Sequence, residues 1–139
     1  MCRWLPIPLV FEAVRLTQRK GDIATAKAVF TFTSMGFDVA IPLTESAPYD
    51  LVVDDGERLV RVQCKFMGGN QVDLRRIHSN AQGYVVKRTA LGSYDWLYVL
   101  KADGKEYLLK ECLADRRSVS PQSIHQLGAV AESGRMQLP

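Results

Sequence analysis

A chain of 139 residues with 47% hydrophobic and 24% charged residues has the size and balance of one globular domain. Its longest apolar run, residues 5–11, holds two prolines and falls far short of the roughly 20 residues that a membrane-spanning helix needs. No small-x-small cleavage pattern follows that run, so the chain is expected in the cytoplasm, away from any membrane. The cysteines at 2, 64 and 112 have no CxxC spacing, and the two histidines, His78 and His125, are far apart, which excludes a disulfide framework or a zinc ribbon. Metal chemistry would fall to carboxylates and amides, hard oxygen donors that suit magnesium or manganese before zinc.

In chain order, residues 11–20 read as a short amphipathic helix, with Val10, Phe11, Val14 and Leu16 on its apolar side. Gly21 is expected to interrupt it. Residues 22–35 form a second predicted helix, with Asp22 as its cap, Ile23, Ala26, Val29 and Phe30 on its apolar face, and Gly36 at its end. The period then changes to two. Residues 37–43 read as a strand stopped by Pro42, and residues 49–66 as a hairpin turning at Asp55 and Gly56. On its second strand Val60, Val62, Cys64 and Phe66 face one way, and Arg61, Gln63 and Lys65 the other. Residues 68–70 are a flexible connection. Residues 71–77, 93–102 and 105–113 are three further predicted strands, the last two joined around Asp103 and Gly104. The tail holds Arg116, Arg117 and Pro121, then a short helix before a frayed end. This order predicts an α/β (α+β) fold, a helix followed by a central mixed, mostly antiparallel sheet.

Charge is unevenly spread. Residues 57–88 carry seven Lys/Arg against Glu57 and Asp73, or +5, while the remainder carries −2. A basic middle on a near-neutral background suits a polyanion. Inside it lies one informative spacing: Asp50, then twelve residues, then Gln63, Cys64 and Lys65. The hairpin folds Asp50 back beside Gln63 and Lys65, which share a strand face. A carboxylate, an amide oxygen and an ammonium then meet at one edge of the sheet. Phosphodiester hydrolysis needs that inventory, namely oxygen ligands for a divalent ion and a cation beside the attacking water.

Asp50 with Gln63, Cys64 and Lys65 resembles the PD-(D/E)XK nuclease core in its variant with glutamine at the second acidic position. The flanks agree: Lys20 and Gly21 ahead of a helix, Gly36, Phe37 and Val39 leading into a strand, and Tyr94, Asp95, Trp96 and Leu97 after the active-site lysine. The pattern is similar to the small Q-x-K group that includes an intron-encoded homing endonuclease of cyanobacteria. The resemblance implies a restriction-endonuclease-like core at residues 20–113, with an extension at 1–19 and a tail at 114–139. It also implies a metal held by Asp50, Gln63 and the Cys64 carbonyl, with Lys65 activating water. One feature departs from the family. A glutamate usual on the first helix is replaced by Thr25, and Asp22, nearly one turn earlier, is the candidate to take over its place.

The expected function is therefore a Mg2+ (or Mn2+) dependent endonuclease acting on double-stranded DNA, of the homing type. Asp50, Gln63 and Lys65 would be catalytic, and Asp50, Gln63, Cys64 and Asp22 would surround the metal. Arg75, Arg76, Lys87 and Arg88 would hold backbone phosphates, and Gln71 with Arg75 would read base edges. Cutting two strands with so small a subunit implies a homodimer or homotetramer. Two alternatives remain open, a binding module that has lost its chemistry and a Holliday-junction resolvase or repair nuclease.

Overall fold

The computed structural model describes residues 9–80 and 82–128. One helix, α1 (Leu9–Ser34), packs on a five-stranded sheet. Its strands are β1 (Asp38–Ala40), β2 (Leu51–Asp54), β3 (Leu59–Met67), β7 (Trp96–Lys101) and β8 (Glu106–Leu109), in the spatial order β1-β2-β3-β7-β8. All pairings are antiparallel except β3 with β7, so the sheet is mixed and mostly antiparallel, as predicted. Among its described residues the parallel crossover from β3 to β7 contains no helix. It carries β4 (Val72–Asp73) and the hairpin of β5 (Arg76–Asn80) with β6 (Gly83–Lys87).

Two expectations about the helix are corrected. Gly21 does not interrupt it; α1 is continuous, because a single interior glycine costs only about 1 kcal/mol against alanine and tertiary packing offsets that. The buried stripe is also rotated by one residue. Ala24, Ala28, Thr31 and Phe32 are buried, whereas Ile23 and Phe30 are 47% and 58% exposed. The small Ala24 and Ala28 let the helix lie close on the sheet, and Phe32 then reaches between Trp96 and Tyr98 at ring distances of 6.2 and 6.0 Å. Leu16, placed on the apolar side of a first helix, is exposed as well; the side chains of Val10, Phe11 and Val14 lie outside the described residues. The helix stops as expected. Gly36 adopts φ +88°, and the Gly36 and Phe37 N–H groups donate back to Thr33 and Phe32, closing the last turn in the left-handed geometry that favours glycine.

The hairpin forms with the predicted facing. Leu51 sits opposite Val62 and Val53 opposite Val60, all fully buried beneath α1, with Cys64 continuing the row. Asp54 and Asp55 accept the N–H groups of Gly56, Glu57 and Arg58 and so shape the turn. A second core covers the opposite sheet face, built from Met67, Val72, Leu74, Tyr94, Leu97, Val99 and Leu109. Strand β8 is buried along its whole length, Glu106 included. Its carboxylate accepts hydrogen bonds from the Thr31 hydroxyl and, at 2.6 Å, from the Tyr98 hydroxyl, which satisfies a charge-capable group inside the core.

The strand predicted over 71–77 is split. Asp73 accepts from the Arg75 N–H and bends the chain there, so β4 and β5 join different partners. The β5–β6 hairpin and β9 (Ser118–Val119) were not predicted, because residues 81–88 and 118–119 carry no two-residue alternation long enough to signal a strand. The expected short tail helix is a single turn, Ser123–His125. Residues 114–128 are fastened to the body: β9 pairs with β4, and Leu127 is buried in the helix-side core. The frayed end falls outside the described residues. Among the described residues no helix is long and apolar enough to cross a membrane.

Candidate active site

Pairing of β2 with β3 brings Asp50 against Gln63. The Asp50 N–H donates to the Val62 carbonyl at 2.8 Å, so Asp50 is held at the mouth of the hairpin just before β2 begins. Its Oδ2 accepts from Gln63 Nε2 at 2.7 Å and from the Cys64 main-chain N–H at 2.8 Å. Lys65 stands two residues beyond Gln63 on the same face. Asp22, Thr25, Asp50, Gln63, Lys65 and Arg75 line one open cavity of about 710 Å³, between the helix and the end of the hairpin.

Asp22 is not a helix cap. It lies in the middle of α1, exposed and bordering that cavity, because the helix begins far upstream of it. Thr25, three residues on and hence on the same side, is half-buried, and its hydroxyl reaches the Cys64 thiol. Cys64 itself is 6% exposed, and burial pushes its thiol well above the ordinary range, so its link to the site runs through the main chain, whose N–H bonds Asp50. Replacing Cys64 by Ala is expected to cost about 1 kcal/mol in urea unfolding with cleavage retained. Rapid reaction of the native thiol with a bulky reagent would contradict the strand facing.

The neighbouring charges divide into structural and available ones. Arg61 is committed elsewhere: its main-chain N–H and its guanidinium both bond Asp95, at 2.9–3.2 Å, which ties β3 to the start of β7 and holds the Asp95 carboxyl below the usual range. Arg75 grips Asp73 with Nε and a terminal nitrogen, the latter at 2.6 Å, and draws that carboxyl down to about 2. Lys65 adds to the field on Asp73, which places this carboxylate close to the corner of Asp50, Gln63 and Lys65. In the sequence Asp73 registers only as one of two acids in the basic middle; an Asp two residues before an Arg in a loop is the signal for its pairing.

The other expected DNA contacts divide. Lys87 and Arg88 are exposed and border a second cavity of about 200 Å³ that shares Gln63 and Lys65 with the first. Gln71 is exposed at the turn before β4 and lines neither cavity. Arg76 opens β5 opposite Lys87, and its side chain lies outside the described residues.

Residues 16–109 match the sequence pattern of the PD-(D/E)XK endonuclease family. The chain belongs to this family. Its fold is similar to that of a bacterial homing endonuclease, I-Ssp6803I, with a TM-score of 0.63 at 25% identity over 77% of this chain and 78% of that one. No curated protein sequence matches the chain. The match to the PD-(D/E)XK endonucleases takes in Thr25, Asp50, Gln63 and Lys65 and ends before Arg116 and Arg117. Family and fold together make this chain a nuclease.

A divalent ion fits the corner of Asp50, Gln63 and Lys65 on the chemistry of its donors. Among the described residues no group of three or more His, Cys, Asp or Glu converges. Magnesium needs less, since it keeps several waters and is held by one or two carboxylates together with substrate phosphate.

Proposed function

We propose that the protein is a magnesium- or manganese-dependent endonuclease of double-stranded DNA, hydrolysing phosphodiester bonds at the corner of Asp50, Gln63 and Lys65. The observation that carries this reading is the Asp50–Gln63 contact at 2.7 Å, with Lys65, Asp22 and Arg75 lining the same open cavity. Asp50 would hold the metal, together with the Gln63 side-chain oxygen, the Cys64 carbonyl and, from the helix, Asp22. The bound ion supplies charge neutralisation at phosphorus and a more acidic water.

The chain's own groups do the rest. Gln63 now turns its amide nitrogen to Asp50, since two oxygens at that distance would repel. A half-turn of the amide would present its oxygen instead, as holding a cation would require. Lys65 places a positive charge beside the attacking water and stabilises negative charge as it grows on the phosphoryl oxygens. Lys87 and Arg88, which border Gln63 and Lys65, and Arg75 fit the backbone phosphates near the cut. Gln71 and Arg76 belong to the same basic stretch, Gln71 on the base-reading side of this proposal. The likeness to a homing endonuclease supports cleavage at a defined site, and one active site per chain requires two or four copies to cut both strands.

Incubation with supercoiled plasmid and magnesium tests the proposal. Conversion to nicked and linear DNA is expected, stopped by EDTA and restored by manganese. Cleavage unaffected by chelation would remove the metal from the account. Binding without cleavage would favour the degenerate module, for which Thr25, a hydroxyl where the family keeps a carboxylate, is the specific observation.

A further inference from the structure

The charge count along the sequence placed Arg116 and Arg117 outside the basic middle, in the tail. The fold returns them to it. Arg75, Val86, Arg88, Asp115, Arg116 and Arg117 line a separate cavity of about 410 Å³. It shares Arg75 with the large cavity at Asp50 and Arg88 with the smaller one at Lys65, so it continues both outward from the active-site corner.

Backbone bonds, rather than acids, hold these cations together. The Leu74 N–H donates to the Arg117 carbonyl at 3.0 Å, and the Asp115 N–H donates to the Thr89 carbonyl at 3.1 Å. The Thr89 hydroxyl, itself buried, donates to the Leu74 carbonyl at 3.1 Å. Each arginine is thus next to, or part of, one three-way junction of main chain. Beside it β9 pairs with β4, Asp73 opposite Ser118. Asp115 takes φ +58°, a left-handed conformation that aspartate tolerates better than most residues, and this turns the chain back just ahead of the two arginines.

Four guanidinium groups face one carboxylate in this cavity. Of these four, Arg75 forms an ion pair, and its partner is Asp73; among the described residues none joins Arg88, Arg116 or Arg117 to an acid. Like charges gathered on a rigid frame without neutralising acids cost stability unless an anion is bound. Arginine's planar fork matches the paired oxygens of a phosphate.

We infer that Arg116 and Arg117, carried by a segment outside the span shared with the family, complete a phosphate clamp with Arg75 and Arg88. The clamp grips the DNA backbone beyond the scissile bond. The inference rests on the DNA reading above and adds the contacts that set affinity and salt dependence. Asp115 at the rim limits the clamp to polyanions, since one carboxylate weakens a lone phosphate more than a strand that meets several guanidinium groups together.

The test is equilibrium binding of a labelled duplex to the full-length protein in EDTA, over a series of salt concentrations. For an Arg116→Gln/Arg117→Gln variant, the slope of log affinity against log salt is expected to be shallower by about 1.8, from about 0.9 per lost phosphate contact. Arg116→Lys/Arg117→Lys keeps the charge and is expected to retain nearly the full slope. If the double glutamine variant unfolds, Arg116→Gln alone should still lower the slope by about 0.9. An unchanged slope in a folded variant overturns the clamp while leaving the nuclease reading in place. A parent that binds no duplex at all overturns both.

Discussion

Asp50→Asn protein is expected to fold and bind DNA but to cut on the order of a thousandfold more slowly than the parent, or not at all. The side chain keeps its shape and an oxygen that can accept the Cys64 N–H, so the hairpin mouth is preserved. Only the charge that holds the cation is lost. Alanine is the poorer probe here. It would leave the Cys64 N–H and the Gln63 amide without their acceptor, adding about 1–3 kcal/mol of destabilisation to the chemical effect. Lys65→Ala should lose as much rate by another route. The metal stays, its affinity equal or slightly higher with a neighbouring cation removed, while the water and the developing phosphoryl charge lose their partner. Single-turnover cleavage of plasmid DNA reads both variants. An Asp50→Asn protein cutting at the parental rate would sink the site assignment.

The second large effect concerns the helix. Asp22 lies mid-helix beside the cavity, so Asp22→Asn loses no cap and should leave stability within about 0.5 kcal/mol of the parent. The rate should nevertheless fall tenfold to a hundredfold, the scale for losing a supporting group at a metal site. Thr25→Glu is the converse change. Thr25 is half-buried on the same side of α1 and lines the same cavity as Asp50, Gln63 and Lys65. A glutamate there can extend into the cavity rather than the core, and is expected to tighten magnesium binding and to cleave at least as fast as the parent. Magnesium titrations of the cleavage rate measure both. An Asp22→Asn protein at full rate combined with a slower Thr25→Glu protein would show that no helix carboxylate takes part.

The parts of the fold and site that were legible from residues alone are those governed by short-range rules. The β2–β3 facing followed from strict alternation at Val60, Val62 and Cys64, and the Asp50–Gln63 meeting followed from that register plus a turn at Asp55 and Gly56. What escaped depended on distant partners. The buried side of α1 is set by Ala24 and Ala28, which carry a weaker hydrophobic signal than the exposed Ile23 and Phe30, and close approach to the sheet decides between the two faces. A continuous helix through Gly21, and with it the loss of any cap at Asp22, likewise reflects packing overriding a local breaker. Arg116 and Arg117 join the basic surface through a bond from Leu74, more than forty residues earlier, which no local charge count registers. Arg61 shows the reverse case, a cation counted as part of a basic surface but committed to Asp95, thirty-four residues later.

Manganese binding, followed by its paramagnetic resonance signal in the presence of duplex DNA, tests the central claim most directly. The parent is expected to take up one ion per active site. Asp50→Asn should lose at least tenfold in affinity, the lower end of the scale for disturbing a metal's immediate surroundings. Lys65→Ala should bind as tightly as the parent while failing to cut. Equal manganese affinity in the parent and in Asp50→Asn would contradict a metal held at the mouth of this hairpin.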